Sequence, residues 1–578
     1  MATRLTYTSG TRTPELDAAF ERGLQAARDD AHDPLPHIVG GRARTNGEIF
    51  ERADPSRDDA VASRARHAPR ELVDEAVAVA AEAQRAWRTT PVDERCRLLR
   101  AAADAIRGRV LEMAAVVTLE TGKPRVESIA EVEEAIDLIE TYCRQIEERE
   151  GFEVPLGTLA DNERNRSVLR PFGVFGVIGP FNFPVALVTG MSAGALVAGN
   201  TIVLKPSEHA PWSGALVAEA FAAAELPPGV VNVVHGGPAT GEALAASAID
   251  GVVFTGSAEV GRGLTRRFQD GAFARPAITE MGGKNPAIVT AEADLDAAAE
   301  GIVASAFGFS GQKCSACSRA IVVDAVHDDL VERLRVRAAD LLVGDPADGD
   351  VYTGPVIDAR AVARFDAAVV EAERDGTIVA GGGRPDGGGL YVEPTIVTDL
   401  PAGHRLTREE LFVPFVTVTR VGSFDEAMAE ANAIDYGLTA GIFSRDEAEV
   451  ARFLDEIEAG VVYVNPARAR PRGRGRGSSR SAAGRAAGRP AKAASARTTS
   501  SSSCASRAAR SSASRGVISG RPRAGRAPGG ARRASRDRSP RARGRPGRAP
   551  ARTSRAAARA PGARRSRAPR WRRRCPGG

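Results

Sequence analysis

Short apolar segments alternate with alanine-rich segments along most of this chain, and that order limits the folds it can adopt. One series of such segments comprises 174–178, 185–197, 201–204, 214–223, 230–234, 241–246 and 252–254. A second series, after Glu280, comprises 286–289, 293–304, 320–323, 328–342, 361–374, 395–398, 424–431 and 461–465. Strands that alternate with helices at such short intervals predict βαβ units, and hence an α/β fold with two parallel-sheet domains. Parallel sheets of this kind bind ligands at the carboxyl ends of their strands.

The first 168 residues have a different pattern. Helical spacing predicts helices over 14–30, 95–107, 110–121 and 129–147, and another that begins near Pro69, where early acids suit the positive end of the helix dipole. The stretch 50–66 has the composition of a loop, and 152–168 reads as short strand-like pieces. We therefore expect a mostly helical opening section followed by a small β element.

The composition changes abruptly after Pro466 to Arg, Ala, Gly, Ser and Pro. This tail contains 34 of the 79 basic residues and one of the 73 acids, so it carries a charge of about +33. It has too little apolar surface to fold, and disorder is predicted for 466–578. Two origins stay open. A reading-frame shift in a GC-rich gene would produce these residues, and a genuine basic tail would bind nucleic acid nonspecifically through phosphate charge.

The rest of the chain carries a charge of about −27 once the tail is subtracted from the net +6. An acidic excess of this size predicts a salt-adapted, halophilic protein with a hydrated surface. The six cysteines are scattered, which favours the reducing cytoplasm over a disulfide framework. No export signal is recognisable at the N-terminus. The longest uncharged run, 171–204, contains prolines and glycines and is interpreted as a buried strand, turn and helix, not a membrane span.

Cys314 lies in a glycine-rich stretch that gives its sulfur little reason to fill a core. We interpret it as a nucleophile, whose thiolate form is favoured where backbone N–H groups or a cation such as Lys313 face the sulfur. Glu280, 34 residues earlier, is a candidate base, since catalytic partners are near in space and not in sequence. The alternatives are a structural cysteine, or a redox or zinc pair with Cys317. No second cysteine pair or histidine cluster follows, so no metal is predicted.

Four further motifs follow predicted strands or lie near the end of the second series. They are Gly-Pro-Phe-Asn-Phe-Pro at 179–184, Val-Leu-Lys-Pro-Ser-Glu at 203–208, Phe-Thr-Gly-Ser-Ala-Glu-Val-Gly at 254–261, and Glu-Glu-Leu-Phe at 409–412. The third is a strand, a glycine turn and a helix start, a ready site for an anion. Each motif alone has an ordinary structural interpretation as a turn, a solvated pair or core.

Together with Cys314 and Glu280, these motifs resemble the NAD(P)-dependent aldehyde dehydrogenase superfamily over 36–465. The stretch 306–319, Ala-Phe-Gly-Phe-Ser-Gly-Gln-Lys-Cys-Ser-Ala-Cys-Ser-Arg, is most similar to the 1-pyrroline-5-carboxylate dehydrogenase branch. The resemblance implies two Rossmann-like domains: an NAD-binding domain from 1–150 and 169–280, and a catalytic thiol domain from 281–465. It also implies bridging strands for oligomerisation over 151–168.

The resemblance also implies a mechanism. The Cys314 thiolate attacks the aldehyde carbon, while Asn182 and the backbone N–H of Cys314 hold the oxyanion. Hydride passes to NAD, and Glu280 then activates water to release the acid. Lys205 is implied both at the catalytic site and at the cofactor. The full set implied to bind NAD is Pro180, Phe181, Lys205, Ser207, Glu208, Gly256, Ser257, Gly261, Glu410 and Phe412. Because the Glu208 carboxylate would repel a 2′-phosphate, NAD is favoured over NADP.

The sequence departs from the family in two places. Val413 precedes Pro414 where the family usually has glycine, and the family's glycine-rich loop and final pairing strand do not appear after Pro466. If this tail is what the cell makes, one wall of the substrate pocket and part of the subunit contact are missing; an intact C-terminus predicts a homo-oligomer. The function predicted is oxidation of L-glutamate 5-semialdehyde to glutamate. A succinate-semialdehyde or broad-range enzyme, an inactive cofactor-binding remnant and a tail-mediated nucleic-acid binder remain as alternatives.

Overall fold

The computed structural model of the chain describes residues 5–6, 12–30 and 33–466. The predictions made for the tail, including its disorder, its origin and the missing loop, concern residues that lie outside this part, apart from Pro466 itself. Among the described residues, no helix is both long enough and apolar enough to cross a membrane.

The helices form most of the first 150 residues and then alternate with strands. They are α1 (Pro14–Asp30), α2 (Arg70–Trp87), α3 (Val92–Arg107), α4 (Val110–Thr121), α5 (Arg125–Glu147), α6 (Ala186–Val197), α7 (Pro211–Ala223), α8 (Pro238–Ala245), α9 (Ala258–Gln269), α10 (Leu295–Phe307), α11 (Asp324–Ala339), α12 (Ala359–Asp375), α13 (Arg405–Arg408), α14 (Phe424–Asn432) and α15 (Glu447–Glu456). Helices α3, α4 and α5 pack with α6 and α7 into one apolar layer against the first sheet.

Two mixed sheets organise the strands. The first has the order β11 (Ala277–Glu280), β10 (Gly251–Thr255), β7 (Val174–Ile178), β8 (Thr201–Lys205), β9 (Val231–Val233), β1 (His37–Val39) and β2 (Arg42–Arg44). The second has the order β14 (Thr377–Ala380), β15 (Thr395–Thr398), β16 (Phe415–Val421), β13 (Cys317–Val323), β12 (Asn285–Val289), β17 (Thr439–Phe443) and β18 (Val461–Val464). Neighbours pair in parallel except at β1, β2 and β14, which pair antiparallel at an edge of their sheets. Strands β7, β8, β10, β12 and β15 are buried along their whole length, as expected where helices cover both faces.

The α/β alternation predicted from the sequence is confirmed, and α4, β7 and β15 have the predicted bounds. The interpretation of 50–66 as a loop is wrong. This stretch forms an antiparallel hairpin of β3 (Ile49–Ala53) and β4 (Val61–Arg66). The sequence does not show the alternation of buried apolar and exposed polar residues expected of a strand, because a charged residue, Arg52, occupies a buried position. There its guanidinium donates to the carbonyls of Glu120 (2.8 Å) and Ile357 (2.9 Å).

A separate two-stranded element lies between the helical section and the first sheet's β7. It consists of β5 (Glu153–Leu156) and β6 (Asn165–Val168), paired antiparallel within the predicted bridging region. Both apolar side chains of β5, Val154 and Leu156, are more than half exposed. The first sheet uses residues 37–280 and the second 285–464, while the division into functional domains stays a prediction.

Candidate active site

The loop that carries Cys314 is folded by three consecutive residues with positive φ. Phe309, Ser310 and Gly311 have φ of 48°, 54° and 66°. A side chain at Gly311 would lie 2.4 Å from the carbonyl oxygen of Val413, so this position requires glycine. The Ser310 hydroxyl donates to the Gly354 carbonyl at 2.6 Å, which anchors the turn. Surrounding contacts therefore hold a strained turn that ends three residues before the nucleophile, as is common at functional sites.

Asn285, at the start of β12, fixes the other side of this loop. Its amide nitrogen donates to the carbonyl oxygens of Cys314 (2.7 Å) and Ala316 (2.8 Å). Its amide oxygen accepts the backbone N–H of Thr439 at 3.1 Å. Asn285 therefore links three strands of the second sheet around Cys314. The sequence analysis did not single it out, although a polar residue at the start of an apolar strand is a visible signal.

Asn182 reaches the same loop from the first sheet. It is buried in the turn after β7, and its amide nitrogen donates to the carbonyl oxygen of Gln312 at 2.9 Å. That acceptor is two residues before Cys314 in the chain. The structure therefore brings together the two residues predicted to hold the substrate aldehyde.

A buried ion pair supports the Asn182 turn. The ammonium of Lys123 pairs with Glu131 and donates to the carbonyl oxygen of Asn182 at 2.6 Å. It also lies 3.9 Å from the ring centre of Phe183 and 4.7 Å from that of Phe309. The other Glu131 oxygen accepts the N–H of Val185 at 2.8 Å. This pair, which the sequence analysis missed, connects the Asn182 turn to the strained turn before Cys314.

We expect Glu131→Ala to lower the free energy of unfolding by about 3–5 kcal/mol, because it leaves the Lys123 ammonium buried without its carboxylate. Urea denaturation of the variant beside the wild type measures this loss. The double variant Lys123→Met, Glu131→Leu is the matched control and should recover part of it, since it removes both charges. A loss below about 1 kcal/mol for Glu131→Ala would show that the pair is not a structural support.

Two carboxylates lie near Cys314. Glu280 is the last residue of β11, and a turn with two glycines follows it. A side chain at Gly282 would collide with the Glu410 carboxylate, and one at Gly283 would collide with the carbonyl oxygen of Cys314. The Glu410 carboxylate accepts the backbone N–H of Gly283 at 2.9 Å. The two glycines therefore allow Glu280, Glu410 and Cys314 to converge.

The thiol of Cys314 is half-buried, and its environment disfavours the thiolate. Burial, and then the negative charges of Glu410 and Glu280, raise the pKa of Cys314 to about 12. The expectation that Lys313 assists a low pKa is wrong. The Lys313 ammonium lies 2.5 Å from the Glu127 carboxylate on α5, which engages its charge. The thiol is therefore mainly protonated in the protein alone.

We expect the rate of alkylation of Cys314 by iodoacetamide to rise about tenfold per pH unit between about pH 7 and 10, because only the thiolate reacts. An ordinary thiol levels off above its pKa of about 8.5. Peptide mapping of the alkylated protein assigns the rate to Cys314. The Glu410→Gln variant should react faster at pH 8 because one negative charge is removed, and a plateau near pH 8.5 in the wild type would contradict the raised pKa.

The predicted cofactor residues of the first sheet lie at the carboxyl ends of its strands. The Lys205 ammonium, at the end of β8, donates to the carbonyls of Pro206 (2.7 Å) and Gly236 (2.8 Å). Burial lowers the pKa of Lys205 to about 8. The Glu208 carboxylate lies 3.9 Å from this ammonium, and the Ser207 hydroxyl between them accepts the N–H of His209 at 3.2 Å. These side chains form one polar edge at the end of β8, and their role toward NAD stays a prediction.

The remaining predicted cofactor residues of this sheet surround the start of α9. The Ser257 hydroxyl caps the helix by accepting the N–H of Val260 at 3.4 Å. A side chain at Gly256 would collide with the Phe254 ring, and one at Gly261 would lie 2.6 Å from the sulfur of Met281. Gly261 therefore lets α9 approach the residue that follows Glu280.

Two aromatic rings meet between the sheets. Phe181, which follows Pro180 in the turn after β7, packs edge-on against Phe412 with ring centres 5.8 Å apart. On its other side it packs edge-on against His209 at 5.9 Å. Phe412 has a positive φ of 56°, a second strained residue at this site. Both predicted aromatic residues therefore border the space between the Lys205 edge and Glu410.

Lys284 lies behind Glu410 and was not predicted as a site residue. Its side chain is fully buried, and its ammonium has no hydrogen-bond partner in the described part of the chain. Burial lowers the pKa of Lys284 to about 7 and raises the pKa of Glu410 to about 7, while each charge favours the other. The sequence contained a signal. Before the tail, the chain has 41 arginines but only four lysines, and all four lie at this site.

One cluster elsewhere has the side chains of a metal site, namely Glu371, Asp375 and His404. The Nδ1 atom of His404 accepts the N–H of Leu406, so in the neutral ring Nε2 carries the proton and donates to Asp375 at 3.1 Å. The two carboxylates also pair with arginines. This geometry is that of an ion-pair network.

The profile of the aldehyde dehydrogenase family matches residues 42–500. The chain is 38% identical over 460 residues to a 1-pyrroline-5-carboxylate dehydrogenase of Geobacillus sp. (strain WCH70), a match that covers 77% of this chain and 88% of the relative. The enzyme of that name from Bacillus cytotoxicus is 37% identical with the same coverage. Among solved structures, a 1-pyrroline-5-carboxylate dehydrogenase has a TM-score of 0.78 at 36% identity, covering 81% of this chain and 92% of the other. A Thermus enzyme of the same name with bound NAD has a TM-score of 0.78 at 35% identity, with the same coverage.

Proposed function

The chain belongs to the aldehyde dehydrogenase family, and on that premise we propose that it oxidises L-glutamate 5-semialdehyde to glutamate with NAD. The observation that carries the proposal is the hydrogen bond between Asn182 and the carbonyl of Gln312, because it joins the two sheets at the nucleophile Cys314. The relatives named 1-pyrroline-5-carboxylate dehydrogenase support the substrate, which is the open-chain form of that cyclic imine.

The residues present fit NAD. Lys205 and Glu208 offer a cation and a carboxylate side by side at the end of β8, as the two hydroxyls of a ribose require. The N-terminus of α9, beside Gly256 and Ser257, offers backbone N–H groups to a pyrophosphate. Glu410 and Phe412 would lie at the nicotinamide half. Bound there, NAD supplies the acceptor for the hydride that the substrate carbon loses.

The thiol chemistry belongs to Cys314. Its sulfur attacks the aldehyde carbon after losing its proton, and the carbonyl oxygen gains negative charge. The Asn182 amide has two N–H donors, of which the bond to Gln312 uses one, so the other is available for the oxyanion. A donor of this kind contributes about 3 kcal/mol to the transition state. Because the pKa of Cys314 is raised in the protein alone, this step also requires a proton acceptor.

The acid product leaves by hydrolysis. Loss of hydride converts the adduct into a thioester, whose carbon is then attacked by water. We assign Glu280 as the base that removes a proton from this water, since its charge acts on Cys314 and it is the last residue of the β11 strand. Glu280 therefore acts in the second half of the cycle, after hydride has left.

The substrate class is supported by charge next to the nucleophile. L-Glutamate 5-semialdehyde carries an α-ammonium and an α-carboxylate. Lys313, which precedes Cys314, offers a positive charge for the carboxylate, and its partner Glu127 offers a negative charge for the ammonium. Both side chains are about nine-tenths buried, so their interactions with a bound ion are only weakly screened. A neutral aldehyde would gain nothing from this pair.

The experiment is NADH formation by the purified full-length protein with three substrates: glutamate semialdehyde in equilibrium with its imine, succinate semialdehyde and propanal. We expect the first to have the highest kcat/KM, with NAD preferred over NADP. Glu127→Gln should raise KM for glutamate semialdehyde about tenfold, the loss of one charge-assisted hydrogen bond, and leave propanal unchanged. A higher kcat/KM for succinate semialdehyde would overturn the substrate proposal but not the thiol mechanism.

We further propose that the protein is a homo-oligomer of the cytoplasm. The exposed Val154 and Leu156 of the β5–β6 element support a subunit contact there, and the free state of the four described cysteines agrees with a reducing compartment. Light scattering during gel filtration measures the molecular mass, and a monomeric peak would contradict the assembly.

A further inference from the structure

Two cysteines outside the active site face each other across the helical layer. Cys96 lies on α3 and Cys143 on α5, and both side chains are fully buried. Each sulfur lies 3.9 Å from the backbone carbonyl oxygen of the other residue, a reciprocal arrangement. The pKa of each thiol also depends on the other thiol, which agrees with this closeness. A disulfide bond is about 2.05 Å long, so the two facing sulfurs would have to approach each other to form one.

Charged groups suited to thiol chemistry lie one helical turn away. Arg100, four residues after Cys96, binds both oxygens of Glu147, four residues after Cys143, at 2.7 and 2.8 Å. The Glu147 carboxylate also acts to raise the pKa of Cys96, which places it near that thiol as a proton acceptor. Contact with the Cys143 thiol lowers the pKa of Cys96 and raises the pKa of Cys143, which makes Cys96 the better nucleophile.

The dithiol lies close to solvent although it is buried. The side chains of Arg100 and Glu147 are 37% and 39% exposed, so the salt bridge marks the surface one turn from the thiols. A cleft of about 440 Å³ is lined by the neighbours of the two cysteines, Arg95, which precedes Cys96, and Ile146, one turn from Cys143. A molecule as small as hydrogen peroxide fits such a cleft many times over.

We propose that Cys96 and Cys143 form a redox-active dithiol that a hydroperoxide oxidises to a disulfide joining α3 to α5. The Cys96 sulfur attacks the peroxide, forming an S–O bond as the O–O bond breaks and the first water leaves. The Cys143 sulfur then attacks the sulfenic sulfur, forming the S–S bond and releasing the second water. The two thiols lose two electrons and two protons, and the peroxide is reduced to two waters.

This site is separate from the catalytic chemistry. Cys143 and Glu127 are both on α5, but 16 residues apart, or about 24 Å along the helix. The disulfide would close a long loop between the two helices, which stabilises the folded state chiefly by restricting the unfolded chain. We therefore expect the disulfide to raise the thermal stability of the helical layer and to leave turnover unchanged.

The test uses the reduced full-length protein, treated with hydrogen peroxide, then unfolded and blocked with N-ethylmaleimide, and digested without reductant by a protease that cuts after arginine. Mass spectrometry should find the dipeptide of Cys96 and Arg97 linked to peptide 126–144. Peroxide should raise Tm by roughly 2–5 °C, reversibly with dithiothreitol, in the wild type but not in Cys143→Ser. The proposal would be overturned if the peptides of Cys96 and Cys143 carried maleimide, which marks them as reduced thiols, while Cys314 was oxidised. A disulfide that pairs Cys314 with Cys317 in their place would also overturn it.

Discussion

Replacement of Cys314 by alanine is expected to abolish NADH formation and to leave the fold intact. The residue is the only predicted nucleophile at the point where both sheets meet, and loss of a covalent nucleophile lowers kcat by at least about 10⁴-fold. The side chain is half-buried and makes no contact that the fold depends on, since Asn285 binds the backbone carbonyl of Cys314 and not its sulfur. Absorbance of NADH with glutamate semialdehyde as substrate measures the effect.

Cys317 provides the matched control for this prediction. It lies three residues on, at the start of β13, fully inside the core of the second sheet, where its thiol contacts the Arg319 carbonyl at 3.6 Å. Cys317→Ala removes a thiol of the same chemistry and should retain most of the activity. NAD binding, followed by protein fluorescence, should be unchanged in both variants. Equal loss of activity in the two would indicate that the C-x-x-C pair acts together, contrary to the mechanism proposed.

The sequence predicted the α/β architecture and the main site residues because their signals are local. Buried parallel strands read as apolar runs, and Cys314 stands out in a glycine-rich stretch. The hairpin of β3 and β4 was misread because its Arg52 serves two distant carbonyls, and no local pattern shows that such a charge is buried. Edge strands such as β1 and β2, with three residues each, are too short to give a pattern.

The electrostatics of the site could not be predicted, because they depend on partners far apart in the chain. Lys313 was expected to lower the pKa of the adjacent thiol, but Glu127, 186 residues earlier, binds its ammonium. Glu410, 96 residues after Cys314, raises the pKa instead. The support of Asn182 by Lys123 and Glu131 is hidden in the same way.

Lysine usage is the one sequence signal that would have located these cations. The body otherwise uses arginine, and its four lysines, Lys123, Lys205, Lys284 and Lys313, each lie in the site. A compact ammonium whose pKa shifts readily on burial differs physically from a planar guanidinium that stays charged. The lowered pKa of Lys205 and of Lys284 is consistent with that difference. Arginine at any of these positions is therefore not a conservative substitution.

Glu280→Gln is expected to separate the two halves of the reaction. A glutamine cannot remove a proton from water, so the thioester on Cys314 should accumulate while NADH is still formed in the first turnover. Rapid mixing with NAD and substrate should show a burst of about one NADH per active site, followed by steady turnover lowered by about 10²–10⁴-fold. Mass spectrometry of the quenched protein should find the glutamyl thioester on the peptide that contains Cys314.

Glu410→Gln is the matched comparison, because both carboxylates act electrostatically on the same thiol. The Glu410 carboxylate binds the N–H of Gly283 and faces the predicted nicotinamide position, so its loss should weaken NAD binding and slow the first turnover itself. No burst is then expected, since hydride loss and not hydrolysis limits the rate. A burst in Glu410→Gln together with none in Glu280→Gln would exchange the two roles. It would move the hydrolytic base from the end of β11 to the segment that precedes Phe412.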